Sequence, residues 1–418
     1  MNKKNLFHCF GLNLFLVLLI IIGLNSPVSA QKEKEPKRKK FGWSLKKSKK
    51  ESENDSKPKK QNNENNNDDE VIKINTDLIL NDILVLNEKG EAVLGLKESD
   101  FVVTEDTKLQ KIEVFSSPTA EKQNYPRHFV FIIDHNNGHR GHIENSINAA
   151  KLFIDKLAPQ DKMAIVTDDV KLIQDFTNDK TKLKKGLDWV YKDYNSNVGR
   201  SGGWGLSYTS LNTVLNELFD KENIRPIIIL QSNGSELELL KGGKQDGSQS
   251  KFGLYYGFYN VTFQELLAKI IEKRATVYSI VTGRRFAGLT DEEKIKNLVL
   301  MQIDFQYDGT PVKLRSVSPR KDDSQEEENI RRVLEVFLKN QLSLIEIAET
   351  SGGTVKFLQT PEDAKTIYAD IFADTANRYL IGHYSSNQEN YKKIREVKIQ
   401  VLGHPEYVIL GRKSYVAR

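Results

Sequence analysis

The stretch of sequence that decides the fold reads HFVFIID at residues 128–134, HNNGHRGH at 135–142 and IENSINAAKLFIDKL at 143–157. The apolar run that ends at Ile133 is typical of a strand buried on both faces of a parallel sheet. Apolar residues then recur at helical spacing from Ile143 to Leu157. A strand, a polar loop and a helix in this order place Asp134 at the carboxyl end of a strand, where open α/β sheets bind ligands.

The beginning of the chain has the pattern of a secretory signal peptide over residues 1–30. Two lysines precede an apolar run at 14–24, and Val28-Ser29-Ala30 provides an A-x-A-like cleavage site. An uncleaved membrane anchor is the alternative, although the apolar run is short for one. Cys9 is the one cysteine, so cleavage would leave a chain without disulfides. We therefore expect an exported protein that is periplasmic, on the cell surface or extracellular.

Residues 31–70 form a polar leader that we expect to be disordered, because it has almost no apolar side chains. It holds 13 Lys and Arg against 9 Asp and Glu, whereas residues 71–418 hold 47 against 48. The body is thus close to neutral, and no nucleic-acid partner is expected from its charge. Within the leader, residues 37–50 place Phe41 and Trp43 among cations. This segment is compatible with weak membrane or cell-wall contact, or with a solvated spacer.

The body, residues 125–384, alternates strand and helix patterns and predicts a doubly wound, Rossmann-like α/β sheet. Strands are predicted at 129–133, 163–166, 170–176, 227–231, 276–281 and 354–357, with helices at 143–157, 181–191, 209–219, 262–274, 324–350 and 361–377. Further strand patterns lie at 71–118 and in the last part of the chain, at 378–384, 395–401 and 407–416. We expect residues 71–118 and 385–418 to form one small β-sandwich-like unit built from both ends.

Several phrases of the chain resemble the bacterial VWFA-related domain family, secreted proteins with a von Willebrand type A fold. They are NDILVLNEKGEAVLGLKESDFVVTEDTKLQKIEVF (81–115), KLFIDKLAPQDKMAIVTDDVKLIQDFTNDKTKLKKGL (151–187), IAETSGGTVKFLQTPEDAKTIYADIFADTANRYLIGHYSSN (347–387) and VILGRKSYVA (408–417). The resemblance implies a von Willebrand type A domain. Because the biochemical role of the family is poorly defined, it implies less about function.

The resemblance also implies a metal-dependent adhesion site, but the matching residues depart from its pattern. Asp134 matches the first aspartate, and Thr209 matches the threonine that opens the third helix of the family. Asn136 and Gly138 stand where two serines belong, and Asn233 replaces the second aspartate. Asp134 is then the one carboxylate that the pattern places there, which compensates weakly for dehydrating Mg²⁺. We expect a degenerate site with no cofactor, with a weakly held divalent cation as the alternative.

Three histidines in the loop after the first strand of the body suggest a second kind of site. His135, His139 and His142 lie beside Asp134, and their spacing is compatible with a zinc centre of a metal-dependent hydrolase. The glycines and asparagines between them predict no helix that would fix one face. Solvent-exposed loop histidines are therefore the alternative.

Two long predicted connections, 242–260 and 283–323, supply the candidate partner-contact residues. These are Tyr255, Tyr256, Phe258, Tyr259, Arg284 and Arg285. Aromatic residues flanked by glycines suit an adaptable contact surface, or else they pack back on the body. The sequence thus indicates an exported, non-enzymatic module for protein–protein or adhesion-type contact, with an unknown protein or envelope ligand. The alternatives are the zinc hydrolase and a structural envelope protein tethered by its basic leader.

Overall fold

A computed structural model describes residues 41–42, 78–118, 126–136, 139, 141–197, 205–219, 224–240, 261–307, 323–387 and 393–417. Its strands are β1 Leu78–Leu86, β2 Phe101–Glu105, β3 Lys108–Gln110, β4 Ile112–Ser116, β5 Arg127–Ile133, β6 Lys162–Thr167, β7 Lys171–Thr177, β8 Arg225–Ser232, β9 Thr276–Thr282, β10 Val355–Leu358, β11 Tyr379–Tyr384, β12 Ile394–Val401, β13 Val408–Leu410 and β14 Ser414–Val416. Its helices are α1 Ile143–Asp155, α2 Lys180–Asn197, α3 Ser207–Glu217, α4 Phe263–Lys273, α5 Asp291–Tyr307, α6 Asp323–Ser351 and α7 Asp363–Ala376. None of the helices in these ranges is long and apolar enough to cross a lipid bilayer.

The apolar run of β5 forms the middle of a six-stranded sheet with the order β10-β9-β8-β5-β6-β7. The strands are parallel except for β7, which pairs antiparallel with β6 at the edge. Every residue of β5 is buried, because helices cover both faces of the sheet. Phe129 and Phe131 contact the core beneath α1, α2 and α7, whereas Val130 and Ile132 contact the core beneath α3, α4 and α6. The predicted doubly wound, Rossmann-like fold is confirmed.

Strands from both ends of the described chain form a small β-sandwich. One antiparallel sheet has the order β13-β1-β11-β4, and the other has the order β14-β12-β2-β3. Apolar residues of both sheets share a separate core, which includes Ile83, Val103, Tyr379 and Val397. This confirms the predicted sandwich-like unit built from both ends, but β11, which the predicted boundary at 384 assigned to the α/β body, belongs to the sandwich. The single strand predicted at 407–416 is wrong: β13 pairs with β1 in one sheet and β14 with β12 in the other, so the chain crosses between sheets.

The predicted long loop at 283–323 is also wrong, because it contains helix α5. Thr290 precedes the helix, and its hydroxyl accepts a hydrogen bond from Glu293 N–H at 3.3 Å while the Glu293 carboxylate accepts one from Thr290 N–H at 2.9 Å. This reciprocal pair is a capping box. Phe286 in the preceding loop is buried and stacks on Phe337 of α6 at 5.4 Å.

Two residues of the basic leader are among those that the structure describes. Phe41 packs, partly buried, against the core beneath α3, α4 and α6. Gly42 N–H donates to the Glu217 carboxylate on α3 at 2.8 Å. At these two positions the leader contacts the body, unlike the solvated spacer considered from its composition.

A buried charge network joins the sandwich to the α/β sheet. Arg378 donates to the Tyr278 hydroxyl, the Asp82 carbonyl and the Gly352 carbonyl, each at 2.8 Å. The Asp82 carboxylate also receives two hydrogen bonds from Arg225 of β8, at 2.7 and 3.0 Å. Burial raises the pKa of Asp82, but the charges of Arg225 and Arg378 outweigh it and hold that pKa below its ordinary value.

Glu105, at the end of β2, is a second buried carboxylate, and it lies in the sandwich. It accepts hydrogen bonds from His383 at 3.0 Å, Ser385 at 2.6 Å, Arg395 at 2.6 Å and Tyr415 at 2.9 Å. Burial raises the pKa of Glu105, but these hydrogen bonds outweigh it and lower the pKa to about 2. One side chain therefore connects strands of both sheets.

We predict that Arg378→Met lowers the free energy of unfolding by about 3–5 kcal/mol, because removing one partner of a buried charge network leaves the others uncompensated. Urea unfolding of the purified protein measures this loss. Arg331→Met is the matched control: this arginine is exposed on α6, and it should cost less than about 1 kcal/mol. An equal effect of both substitutions would contradict a junction role for Arg378.

We predict that Glu105 makes the sandwich sensitive to acid. Its pKa falls from an ordinary 4.5 to about 2 on folding, so its stabilising contribution is complete above pH 4.5 and is lost as the pH falls towards about 2. Glu105→Gln should lose about 1–3 kcal/mol at neutral pH and should remove this part of the pH dependence. Melting curves from pH 7 to pH 2 check it, with exposed Glu113→Gln as control. A variant profile parallel to that of the unsubstituted protein would contradict the assignment.

Candidate functional site

The carboxyl ends of β5, β6 and β8 bring polar side chains together with the first turn of α3. Asp134 follows β5, Asp168 follows β6, and Ser232 ends β8. Ser207 and Thr209 lie in the first turn of α3. The site therefore forms where parallel strands end and a helix begins, the position at which open α/β sheets bind ligands.

Asp134 lies at the centre of this site and is completely buried. One carboxylate oxygen, Oδ2, lies 3.0 Å from Ser232 Oγ and 3.0 Å from His139 Nε2. The other, Oδ1, accepts from the Asn136 side-chain amide at 2.5 Å and from Asn136 N–H at 3.3 Å. Burial raises the pKa of Asp134, but the charge of His139 and the hydrogen bonds outweigh it, so the pKa lies below its ordinary value. Asp134 is thus an ionised carboxylate whose partners belong to the protein itself.

His139 is completely buried beside this carboxylate, so the expectation of exposed loop histidines is wrong for this residue. Its Nε2 lies 3.0 Å from Asp134 Oδ2, off the direction of a hydrogen bond. The imidazole thus lies against one oxygen of the carboxylate.

Gly205 closes a further side of the site. A Cβ at this position would lie 2.7 Å from Asp134 Oδ2 and 2.5 Å from Asn136 Nδ2. The glycine is therefore required for the close approach of the backbone to the carboxylate.

Thr209 has a partner that the sequence pattern did not indicate. Its hydroxyl donates to the buried carboxyl group of Glu236, which also accepts from Tyr208 N–H at 2.5 Å and Thr209 N–H at 3.2 Å. Burial raises the pKa of Glu236 to about 8, although the hydrogen bonds from Thr209 and Tyr208 oppose this rise. The neutral acid therefore predominates at pH 7 and satisfies the first amides of α3.

Asn233, the predicted counterpart of the second aspartate, turns to its own loop. Its Oδ1 accepts from Ser235 N–H at 3.0 Å, where a short 3-10 turn begins. The neighbouring Ser232 contacts Asp134 instead, and its hydroxyl also lies 2.7 Å from Ser207 Oγ. The Ser232 hydroxyl therefore contacts Asp134 and the Ser207 hydroxyl contacts Ser232, and sequence reasoning missed both residues.

The three histidines of the loop have three different sets of partners. His135 contacts Asp168 and lies 3.4 Å from Asp193, whereas His142 Nε2 lies 3.3 Å from the Gln359 carbonyl. Within the described ranges, no group of three His, Cys, Asp or Glu side chains has the geometry of a metal site. The imidazoles that the zinc hypothesis needs on one face are therefore separated.

Asp168 is a second carboxylate near Asp134, contrary to the expectation of a single one. Burial and the charge of Asp134 raise its pKa to about 6, against the opposing effect of His135. Burial lowers the pKa of His135, but the hydrogen bond with Asp168 outweighs it and raises that pKa to about 9. At neutral pH this pair is an internal salt bridge. The sequence signal for this carboxylate was the pair Asp168-Asp169, which directly follows strand β6.

The predicted ligands do not fit a hexacoordinate divalent cation. Mg²⁺ requires several oxygens around one point, with near-octahedral geometry. Here Thr209 donates to Glu236, Asn233 accepts from Ser235, and Asn136 turns its amide nitrogen towards Asp134. The side-chain oxygens of Thr209 and Asn233 are therefore engaged by neighbouring groups of the protein. Gly138, the remaining position of the pattern, lies outside the described residues.

The candidate contact residues divide into two groups. Tyr255, Tyr256, Phe258 and Tyr259 all lie outside the described residues. Arg284 and Arg285 follow β9 at the carboxyl edge of the sheet. The exposed Arg285 lies over the Phe357 ring at 4.9 Å and donates to the Ala287 carbonyl at 2.8 Å, and the Arg284 carbonyl accepts from Gln341 at 2.7 Å. The backbone under these two cations is therefore fixed against α6 and β10.

A sheet of this strand order with an antiparallel edge strand and two helical layers defines a doubly wound α/β domain, here joined to a β-sandwich. The chain has the von Willebrand type A fold that the resemblance implied.

No protein-family profile and no curated protein matches the chain. Among solved structures, it is similar to the von Willebrand factor type A protein from Catenulispora acidiphila, with 11% identity, a TM-score of 0.36, and coverage of 82% of this chain and 73% of that chain. It is also similar to BatB from Bacteroides thetaiotaomicron (12% identity, TM-score 0.33, 60% and 98% covered). The von Willebrand domain of the pilus tip protein Mfa5 from Porphyromonas gingivalis shows 11% identity, a TM-score of 0.34, and coverage of 60% and 95%.

We predict that Asp134 and His139 are energetically coupled. Asp134→Ala and His139→Ala should each lower the free energy of unfolding by about 3–5 kcal/mol, because each leaves a buried polar partner behind. The double variant should lose less than the sum, by about 0.5–3 kcal/mol. Urea unfolding of the four proteins measures the cycle, with exposed His404→Ala as a control of small effect. Additive losses would show that the two side chains do not interact.

Proposed function

We propose that the chain is a non-enzymatic binding module that contacts its partner without a bound cation. The observation that supports this is the complete burial of Asp134 against His139, Ser232 and Asn136. A site that works through a metal must present an open coordination position to its ligand. A buried carboxylate with internal partners on both oxygens offers none. We therefore interpret the adhesion site as degenerate, with protein side chains around Asp134 in place of the metal.

The partner class that we propose is an exported protein or another envelope ligand. This part of the proposal rests on the signal-peptide pattern at residues 1–30 and on the near-neutral body, which does not favour nucleic acid. Arg284 and Arg285 are the candidate contact residues within the described chain. They lie at the edge of the sheet where ligands of this fold class bind, on a backbone held by Gln341 and Gln359.

The hydrolase alternative receives no support from the site geometry. A zinc centre needs three side chains that converge on one ion and leave a position for water. His135 instead contacts Asp168, and His139 contacts Asp134. His142 lies beside a backbone carbonyl.

The proposal predicts that divalent cations do not stabilise the protein. A cation present at a hundred times its dissociation constant would add about 2.7 kcal/mol to the free energy of unfolding, which a melting scan detects easily. We expect no shift of the melting temperature with millimolar Mg²⁺, Mn²⁺ or Ca²⁺, relative to EDTA. A Mg²⁺-dependent shift that Asp134→Ala abolishes would overturn the proposal. A Zn²⁺ shift that His139→Ala abolishes would favour the hydrolase.

A binding measurement completes this test. The labelled protein is incubated with envelope fractions in EDTA and, in parallel, in Mg²⁺, and bound protein is quantified after sedimentation. We expect equal binding in both buffers and a loss of binding on combined Arg284→Glu and Arg285→Glu substitution. Lys162→Glu is the matched control, because this exposed lysine begins β6 at the opposite edge of the sheet. Binding that requires Mg²⁺ would contradict the proposal.

A further inference from the structure

One edge of strand β12 is paired along only part of its length. Its first three residues pair with β14, and Val397 N–H then donates to the Lys413 carbonyl at 2.8 Å. On the opposite edge, the pairing with β2 runs from Val397 to Val401. In the part of the chain that the structure describes, no strand pairs with β12 beyond Val397 on the β14 side. The chain pairs in the other sheet as β13, crosses to this sheet, and begins β14 at Ser414.

The backbone groups of Ile399 point to this unpaired side. Leu402 N–H donates to the Asp100 carbonyl at 2.8 Å, so residues 398, 400 and 402 direct their backbone groups to β2. Alternation in an antiparallel pair then directs those of Ile399 and Val401 to the other side. The Val401 carbonyl accepts from His404 N–H at 3.3 Å, but Ile399 has no backbone hydrogen-bond partner there among the described residues. A donor and an acceptor are thus available to an added strand.

The unpaired edge forms one wall of a groove with a volume of about 750 Å³. Ile83 of the facing sheet, Ile399, Tyr407 and Ile409 line its apolar part. Ile394, which is 61% exposed, lies at its border. An added strand of about five residues spans roughly 17 Å, and its inward side chains would cover these apolar groups.

Strand β1 provides the other partly paired edge of the sandwich, and its unpaired part is protected by side chains. β13 covers only the last three residues of β1. Along the remainder, the carbonyls of Leu78, Leu80 and Asp82 accept from guanidinium groups of Arg274, Arg412 and Arg378. Edge strands that are blocked in this way cannot template another strand. The edge of β12 has no comparable cover within the described chain.

The charges around the groove determine which side-chain charge a bound segment should carry. The exposed Lys398 and Lys413 line it, with Glu396 as the opposing charge, whereas the guanidinium group of the buried Arg412 donates to the Leu80 carbonyl. Lys398 is exposed and lies on the outer face of β12, where it would stand opposite an outward side chain of the added strand. Opposite charges across strands are stabilising, and like charges are not. A second copy would bring an equally basic rim, so an acidic strand is favoured.

We propose that this groove binds an extended peptide segment of a partner protein, which alternates apolar and acidic residues and adds to the edge of β12 beside β14. Main-chain hydrogen bonds supply affinity in this mode of recognition, and alternate side chains supply specificity. The apolar residues enter the groove, and the acidic residues face Lys398. This inference goes beyond the proposed function above, because it concerns the sandwich and does not depend on Asp134.

The test uses fluorescence anisotropy of the whole protein with a labelled nine-residue peptide that alternates valine and glutamate. We expect saturable binding, and at least tenfold weaker binding of the same peptide with lysine in place of glutamate. Lys398→Glu should weaken the valine–glutamate peptide at least tenfold and improve binding of the valine–lysine peptide. Lys365→Glu is the matched control, because this exposed lysine lies on α7 in the other domain. Absence of binding to either peptide at millimolar concentration would overturn the proposal.

Methylation of the peptide backbone distinguishes binding by strand addition from binding by charge attraction alone, and it leaves the protein unchanged. N-methyl groups on alternate residues block hydrogen bonds to β12 in one register and face solvent in the other. We expect only one of the two methylated peptides to lose binding, and we expect the Ile399 amide to exchange hydrogen more slowly when peptide is bound. Equal binding of both methylated peptides would overturn the proposal. So would a protein dimer that Lys398→Glu dissociates, because the edge would then belong to a second copy.

Discussion

The buried contact between Arg378, Asp82 and Arg225 is the interaction on which the arrangement of the two layers depends. The sandwich and the α/β sheet have separate apolar cores, so hydrophobic burial inside each does not by itself fix one against the other. A guanidinium group taken out of water must find partners, and Arg378 finds them on β1, on β9 and after α6. Since only one placement of the sandwich satisfies all of these groups, the network selects that placement.

The same physical rule shapes the site at the carboxyl edge of the sheet. Polar groups that meet at the ends of buried parallel strands are removed from water, and they require either a bound ion or each other. In this chain they have each other: Asp134 has His139 and Ser232, and Thr209 has Glu236. The raised pKa of Glu236 keeps this acid largely neutral at pH 7, so it adds little negative charge beside Asp134. The neutral form of Glu236 and the burial of Asp134 both support our interpretation of the site as closed.

The sequence predicted those features that local pattern encodes. The buried strands of the body are continuous apolar runs, and Gly352 ends α6 in the left-handed conformation that glycine permits. Helix α5 was missed because its apolar residues do not share one face: among its described side chains, Leu298 and Met301 enter a core, whereas Ile295 and Val299 are exposed. Asp134 was located by its place after a strand, and His139 was considered beside it as a zinc ligand, but the contact of Glu236 with Thr209 was not predicted. Their roles depend on which loops meet in space, and neither residue type nor spacing specifies that.

The crossing at Gly411 shows how one local constraint creates both edges of the sandwich. A Cβ at this glycine would lie 2.7 Å from the Ile83 side chain, so the chain passes close over the facing sheet as it moves from β13 to β14. A continuous strand here would have paired with one sheet along its whole length. Because it is divided instead, each sheet receives only three residues, and a stretch of β1 and a stretch of β12 lose a neighbour. Arginine side chains replace that neighbour along β1, whereas β12 borders a groove. The division of one strand thus leaves the fold with a protected edge and an open edge, and a binding function for the sandwich has its physical origin in that difference.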